Sequence, residues 1–172
     1  MNEKKIFNNT VLSFGILYAI VTIAFIILHN PLDTEPNTKN AFISFLGFFI
    51  FIGISVLAVW YYKKQGGTIS LGKAVKIGVL LGLMGGSIAA VYTYYYFTSI
   101  NPEAADIALN IARQEIEKKA ELTPEMIDKQ MELVKKMMLP MQVGSQIFVG
   151  MFYGLIGGIL GGLFFINPTE EY

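Results

Sequence analysis

The sequence predicts an all-α membrane protein: a four-helix transmembrane bundle with an extramembrane helical hairpin inserted between spans three and four. Three observations predict it. Residues 10–28, 41–62, 77–98 and 141–166 form four long, mostly apolar stretches without a single charged side chain. A helix needs roughly 20 such residues, at 1.5 Å rise each, to cross a hydrocarbon core of about 30 Å. Next, 53% of the 172 residues are apolar and only 15% charged, where a soluble domain carries about 25% charge. Finally, the charges are segregated, gathering at 63–76 and 103–136. Helices are expected rather than strands, because a lipid-exposed open sheet leaves backbone groups unpaired. One integral membrane domain, residues 1–172, is the simplest division.

The first span follows Lys4 and Lys5. Its apolar run is long for a signal peptide, and it ends in "ILHNPLD" rather than a small-residue cleavage site, so it reads as a retained anchor. The second span closes on Trp60, Tyr61 and Tyr62, amphipathic rings that favour the headgroup level. Gly66-Gly67 then breaks the helix, and Ser70 is placed to cap the third. Lys73 and Lys76 fall on the first turns of that helix, where they oppose its dipole but suit anionic headgroups. Tyr92, Tyr94, Tyr95 and Tyr96 close the third span, as an interfacial belt or as a stacking platform for a ligand.

The insert, about residues 101–139, shows two helix starts. Asn101-Pro102-Glu103 and Thr123-Pro124-Glu125 each read as N-cap, proline at the first helical position, then acid. Helices near 102–120 and 124–138 follow. Leu109, Ala112, Ile116 and Ala120 share a face of the first; Ile127, Met131, Val134 and Met138 share a face of the second. These faces are covered by each other, by the membrane surface, or by a partner. The many methionines suit an adaptable partner surface.

Six glycines crowd residues 150–162 of the fourth span. Gly150, Gly154, Gly158 and Gly162 recur at every fourth residue, and Gln146 continues the line backwards. Gly78, Gly82 and Gly86 form a matching line in span three. In lipid the hydrophobic drive between helices is weak, and small residues let backbones approach closely enough for dispersion to hold them. These eight residues are therefore the expected packing face. Packing of span three on span four within a chain, packing between chains, and sliding of glycine faces as a gate all remain open.

Chemistry is sparse. No residue is cysteine, and the one histidine, His29, sits beside Asn30-Pro31 at a span end. A metal centre and a catalytic base are thus not expected, and no cofactor-binding fingerprint occurs: the glycines at 154, 157 and 158 lie mid-span, not after a strand. Intramembrane charges mark proton and ion paths; the spans hold only mild polar groups such as Thr22, Ser55, Thr93 and Gln146. Net charge is zero, so nucleic acid is not an expected partner.

Taken in order along the whole chain, "GGTISLGKAVKIGVLLGL", the tyrosine-rich end of span three running into "INPE", and "LTPEMIDKQMELVKKMM" before the glycine-rich span resemble a bacterial four-span membrane family. It is catalogued as a domain of unknown function, 4199. The resemblance implies four spans with a charged helical insert between the last two, and supplies no activity or site residue.

The expected role is non-enzymatic: a small structural or accessory subunit acting through glycine-face packing and its insert. The alternative is a minimal transporter or channel working as an oligomer. The lipid bilayer is the expected medium, with a membrane-protein partner or a homo-oligomer open. Lysines decide orientation. Lys4, Lys5, Lys63, Lys64, Lys73 and Lys76 stand on one side, against Lys39 on the other among the short segments. Termini in the cytoplasm of a bacterial inner membrane are expected.

Overall fold

The computed structural model describes residues 2–28, 38–119 and 123–166, with the side chains of all but 38–44 and 119. Five α-helices account for nearly all of them: α1 (Glu3–Leu28), α2 (Thr38–Lys64), α3 (Leu71–Tyr95), α4 (Glu103–Lys119) and α5 (Pro124–Phe165). No strand occurs among the described residues. Four helices, all but α4, are long and apolar enough to cross a membrane, so the chain is a membrane protein of four spanning helices.

The boundaries follow from local chemistry. Gly66 ends α2 at φ +90, a left-handed conformation that only glycine takes without strain. Ser70 has extended backbone and its Oγ accepts from the Lys73 N–H at 3.3 Å, capping α3. At the far end α3 widens into a π-helical turn, Tyr96–Ile100, closed by the Asn101 N–H on the Tyr96 carbonyl at 2.8 Å. Asn101 Oδ1 then accepts from the Ala104 N–H, starting α4. Thr123 holds the cap geometry of α5, with Pro124 at its first turn, but its hydroxyl makes no cap bond.

One expectation is corrected here. The insert's second helix and the fourth span are not separate: α5 runs unbroken through 42 residues, about 63 Å, twice a hydrocarbon core. Pro140 lies inside it. Proline removes one i→i−4 bond, yet the turns on both sides keep the helix continuous. The hairpin therefore consists of α4 and the projecting first half of α5, with Arg113 of α4 reaching Asp128 of α5 at 3.0 Å.

Within the membrane α3 and α5 make the most extensive pairing, followed by α1 with α3 and α2 with α5. The α3–α5 contact is antiparallel and runs at backbone distance. A Cβ placed on Gly78 or Gly82 would overlap the carbonyl oxygen of Gly154 or Gly150, and one on Gly86 would lie 2.6 Å from the Gln146 oxygen. The reverse holds: Gly154 meets the Gly78 carbonyl, and a Cβ on Gly158 would come 2.8 Å from that of Ala74. Backbones this close have room for Cα–H···O contacts, which contribute about 0.5–1 kcal/mol each where they form.

Gly157 and Gly161 do something else. A Cβ on Gly157 would overlap Ser55, and one on Gly161 would lie 2.9 Å from the Val59 Cβ, both on α2. So α5 carries two glycine faces, one for α3 and one for α2. On α3, Gly85 faces Tyr18 and the Gly15 carbonyl of α1, at 2.7 and 2.8 Å from a built Cβ. Larger side chains fill the remaining interior: Tyr18 against Phe51, with ring centroids 4.8 Å apart, and Phe51 stacked on Tyr153. Leu155, Ile159 and Leu163 of α5 point outward.

Substitution to alanine separates contact glycines from free ones. Gly82→Ala and Gly154→Ala should lower the melting temperature in mild detergent, since overpacking costs typically 1–3 kcal/mol. Gly53 and Gly144 have open space where a Cβ would go. Alanine there should leave stability unchanged or raise it by up to about 1 kcal/mol through helix propensity. Equal responses at all four positions would contradict the seam.

Candidate functional site

Three places hold groups able to do something besides pack: the lysine-rich end of the bundle, an intramembrane cleft, and the projecting hairpin.

At the first, α1 begins, α2 ends and α3 begins. Glu3 organises it. Its Oε1 accepts from Lys73 Nζ at 2.7 Å, from the Tyr62 hydroxyl at 2.9 Å and from the Thr68 N–H at 3.2 Å. One carboxylate oxygen thus ties together α1, α2, the connecting loop and α3. Tyr62 is fully buried, its ring covering Gly67, where any Cβ would overlap it. It is a structural residue and not part of an interfacial belt. Trp60, by contrast, is exposed, with Lys64 Nζ 5.0 Å over its ring. A cleft of about 260 Å³ opens beside this network, lined by Glu3, Lys4, Phe7, Tyr62, Lys73 and Lys76.

The second place lies between α1, α2 and α5. A cleft of about 270 Å³ is lined by Thr22, Phe25, Phe48, Phe51, Gln146 and Tyr153, among others. Gln146 also lines this cleft, while its backbone carbonyl faces Gly86 in the seam. The span hydroxyls are mostly spent on their own helices: Thr10, Thr22 and Ser55 donate to carbonyls four residues back. Thr93 is the exception among the described residues, buried with no partner for its hydroxyl. Of the tyrosines ending span three, Tyr94 and Tyr95 are exposed as a belt requires, whereas Tyr96 is buried and accepts from the Asn101 amide at 3.3 Å.

On the hairpin, Arg113 bridges Glu117 and Asp128, both at 3.0 Å, and these two acids push its already high pKa further up. The face expected to meet a partner, Ile127, Met131, Val134 and Met138, is half-buried where α4 packs on α5. A second apolar stripe is freer: Met126, Leu133, Met137 and Met141 are 51%, 58%, 46% and 63% exposed. Spacings of seven, four and four put these on one side of the helix. Their pattern was present in the sequence, but two apolar faces on one amphipathic helix leave open which is covered.

The eight packing residues lie together, Gly78, Gly82 and Gly86 of α3 against Gln146, Gly150, Gly154 and Gly158 of α5, with Gly162 facing Leu71 and Ala74. His29 lies outside the described residues. Among those described, no three His, Asp or Glu side chains gather to hold a metal.

The family described as a protein of unknown function, DUF4199, matches residues 13–167, and the chain belongs to it. No curated protein and no solved structure matches the chain.

The Glu3 network generates a ranking. Glu3→Ala should destabilise more than Tyr62→Phe or Lys73→Ala, because it strands all three donors at once, one of them on a buried ring. Thermal melts of the three variants in detergent check it. A Lys73→Ala variant as unstable as Glu3→Ala would mean that the ion pair alone matters, against the small contribution expected of an exposed pair.

Proposed function

We propose that this member of the DUF4199 family is a non-enzymatic structural or accessory subunit of the bacterial inner membrane. Its four spans form the anchor, and the projecting half of α5, braced by α4, docks a membrane-protein partner. One observation carries the reading. A helix of 42 residues continues unbroken beyond the bundle and keeps Met126, Leu133 and Met137 exposed ahead of Pro140. About 25 Å of helix precedes Pro140. Exposed apolar groups along such an arm have no membrane to cover them if the arm stands off the bilayer, and methionine-rich surfaces adapt to protein partners.

An oligomeric transporter or channel draws less support. Both glycine faces of α5 are occupied inside one chain, by α3 and by α2, which leaves no glycine stripe of α5 for packing between copies. The proposed orientation, with both termini and the 63–76 loop in the cytoplasm and the hairpin outside, is supported by the lysine count of the short segments. The joining of residues 3, 62, 68 and 73 at one end of the bundle fits that arrangement.

Two experiments test the reading. Leu133→Asp with Met137→Asp should abolish recovery of co-purifying membrane proteins while leaving helix content unchanged by circular dichroism. Ile127→Asp with Met131→Asp should instead loosen the hairpin itself. If the Leu133/Met137 variant retains every partner and complements a deletion strain fully, the docking role fails. For orientation, the chain has no cysteine, so single cysteines at Thr68 and Gln114 give unambiguous labelling. They should react from opposite sides of intact cells and inverted vesicles. Reaction from the same side contradicts the topology.

A further inference from the structure

The cleft at the lysine-rich end is not explained by packing or by docking through the hairpin. Three ammonium groups and one carboxylate line it. The carboxylate is already spent: Glu3 holds Lys73 at 2.7 Å and takes two further donors on the same oxygen. Lys4 and Lys76 have no carboxylate partner among the described residues. Lys76 is nonetheless held in place, its Nζ 5.7 Å over the Phe7 ring. Such a stack stabilises the ammonium without neutralising it. The cleft therefore carries an excess of about two positive charges on a floor of aromatic carbon from Phe7 and Tyr62.

Its position selects among anions. It lies where three spanning helices reach their ends, near Trp60, whose exposed indole belongs at the headgroup level. Seven residues deeper on the same helix faces as Lys4 and Lys76 lie Val11, half-buried, and Leu83, exposed, so the surface below the cleft is apolar. A ligand suited to both parts has an anionic phosphate above and hydrocarbon below.

We propose that this cleft is a binding site for the phosphate headgroup of an anionic phospholipid, held by Lys4 and Lys76. The Glu3–Lys73–Tyr62 network is the wall that ties the start of α1, which carries Lys4, to the start of α3, which carries Lys76. The site is separate from the docking stripe on α5, and this inference does not rest on the accessory role.

The test uses the full-length protein in a mild non-ionic detergent, titrated with dioleoyl phosphatidylglycerol, with dioleoyl phosphatidylcholine, and with glycerol 3-phosphate. Retained lipid is read by native mass spectrometry and thermal protection by melting. Phosphatidylglycerol should bind and protect, and phosphatidylcholine should not. Near a membrane surface each basic residue contributes about 1 kcal/mol, so Lys4→Gln with Lys76→Gln should weaken phosphatidylglycerol roughly 30-fold. Lys4→Arg with Lys76→Arg should retain binding. Lys129→Gln with Lys135→Gln, on the projecting part of α5, should change nothing. Because Lys76 packs on Phe7 its loss risks the fold, and single Lys4→Gln, at an exposed position, should still weaken binding severalfold. Undiminished binding in the Lys4 and Lys76 variants, or equal binding of phosphatidylcholine, would overturn the site. Equal protection by glycerol 3-phosphate would overturn the lipid and leave a soluble phosphate ester as the ligand.

Discussion

Backbone touches backbone where α3 meets α5, and the rest of the bundle is arranged around that contact. Inside a bilayer, lipid is as apolar as leucine, so burying leucine between helices gains little. Attraction must come from proximity. Proximity at carbonyl-to-α-carbon range demands that no side chain intervene on either helix. Gly78, Gly82 and Gly86 meet that demand on α3, and Gly150, Gly154 and Gly158 meet it on α5. The cost glycine carries in a water-exposed helix is reduced here, because an unpaired backbone in hydrocarbon costs several kcal/mol and unwinding is not an alternative.

The same demand explains why α5 is the hub. Its faces repeat at i, i+4 for α3 and again at Gly157 and Gly161 for α2, so one helix is gripped on two sides. Tyr153 and Phe165 of α5 pack on the core, while Leu155, Ile159, Leu163 and Phe164 point away from the bundle. Gripped in this way, α5 continues unbroken beyond the bundle as a projecting arm. The arm inherits its direction from the seam, and α4 adds a brace through Arg113 and Asp128. At the opposite end the seam holds α3 in place for Lys73 and Lys76, and Glu3 draws the start of α1 against it. The two outer features, arm and basic cleft, thus depend on the same interior contact.

Much of this was legible in the sequence, for a physical reason: composition and period report on solvent and on helix faces. Spans appear as runs without charge, the seam as glycines four apart on two helices, and the α3 cap as Ser70 ahead of an apolar run. Less legible were features set by three-dimensional neighbours. Thr123-Pro124 marks a helix start, but nothing local says whether that helix survives Pro140; its packing on α2 and α3 lies beyond that proline. Tyr62 and Tyr96 sit at span ends like belt residues, yet Tyr62 is buried over Gly67 and Tyr96 beside Asn101. The difference depends on which way each ring turns. The division of the fourth span's glycines between two neighbours, and the meeting of Glu3 with Tyr62 across 59 residues, carry no local signal.

The most direct test of the central contact is a double-mutant cycle on a facing pair. Gly78→Ala and Gly154→Ala each insert a methyl into the same gap. Once the first has pushed the helices apart, the second meets an interface already opened, so the penalties do not add. Reversible unfolding in mixed micelles should give a double variant less destabilised than the sum of the singles, with a coupling of about 0.5–3 kcal/mol. Additive penalties, or single variants as stable as the parent, would mean that the two glycines do not face each other and that something other than this seam holds the bundle.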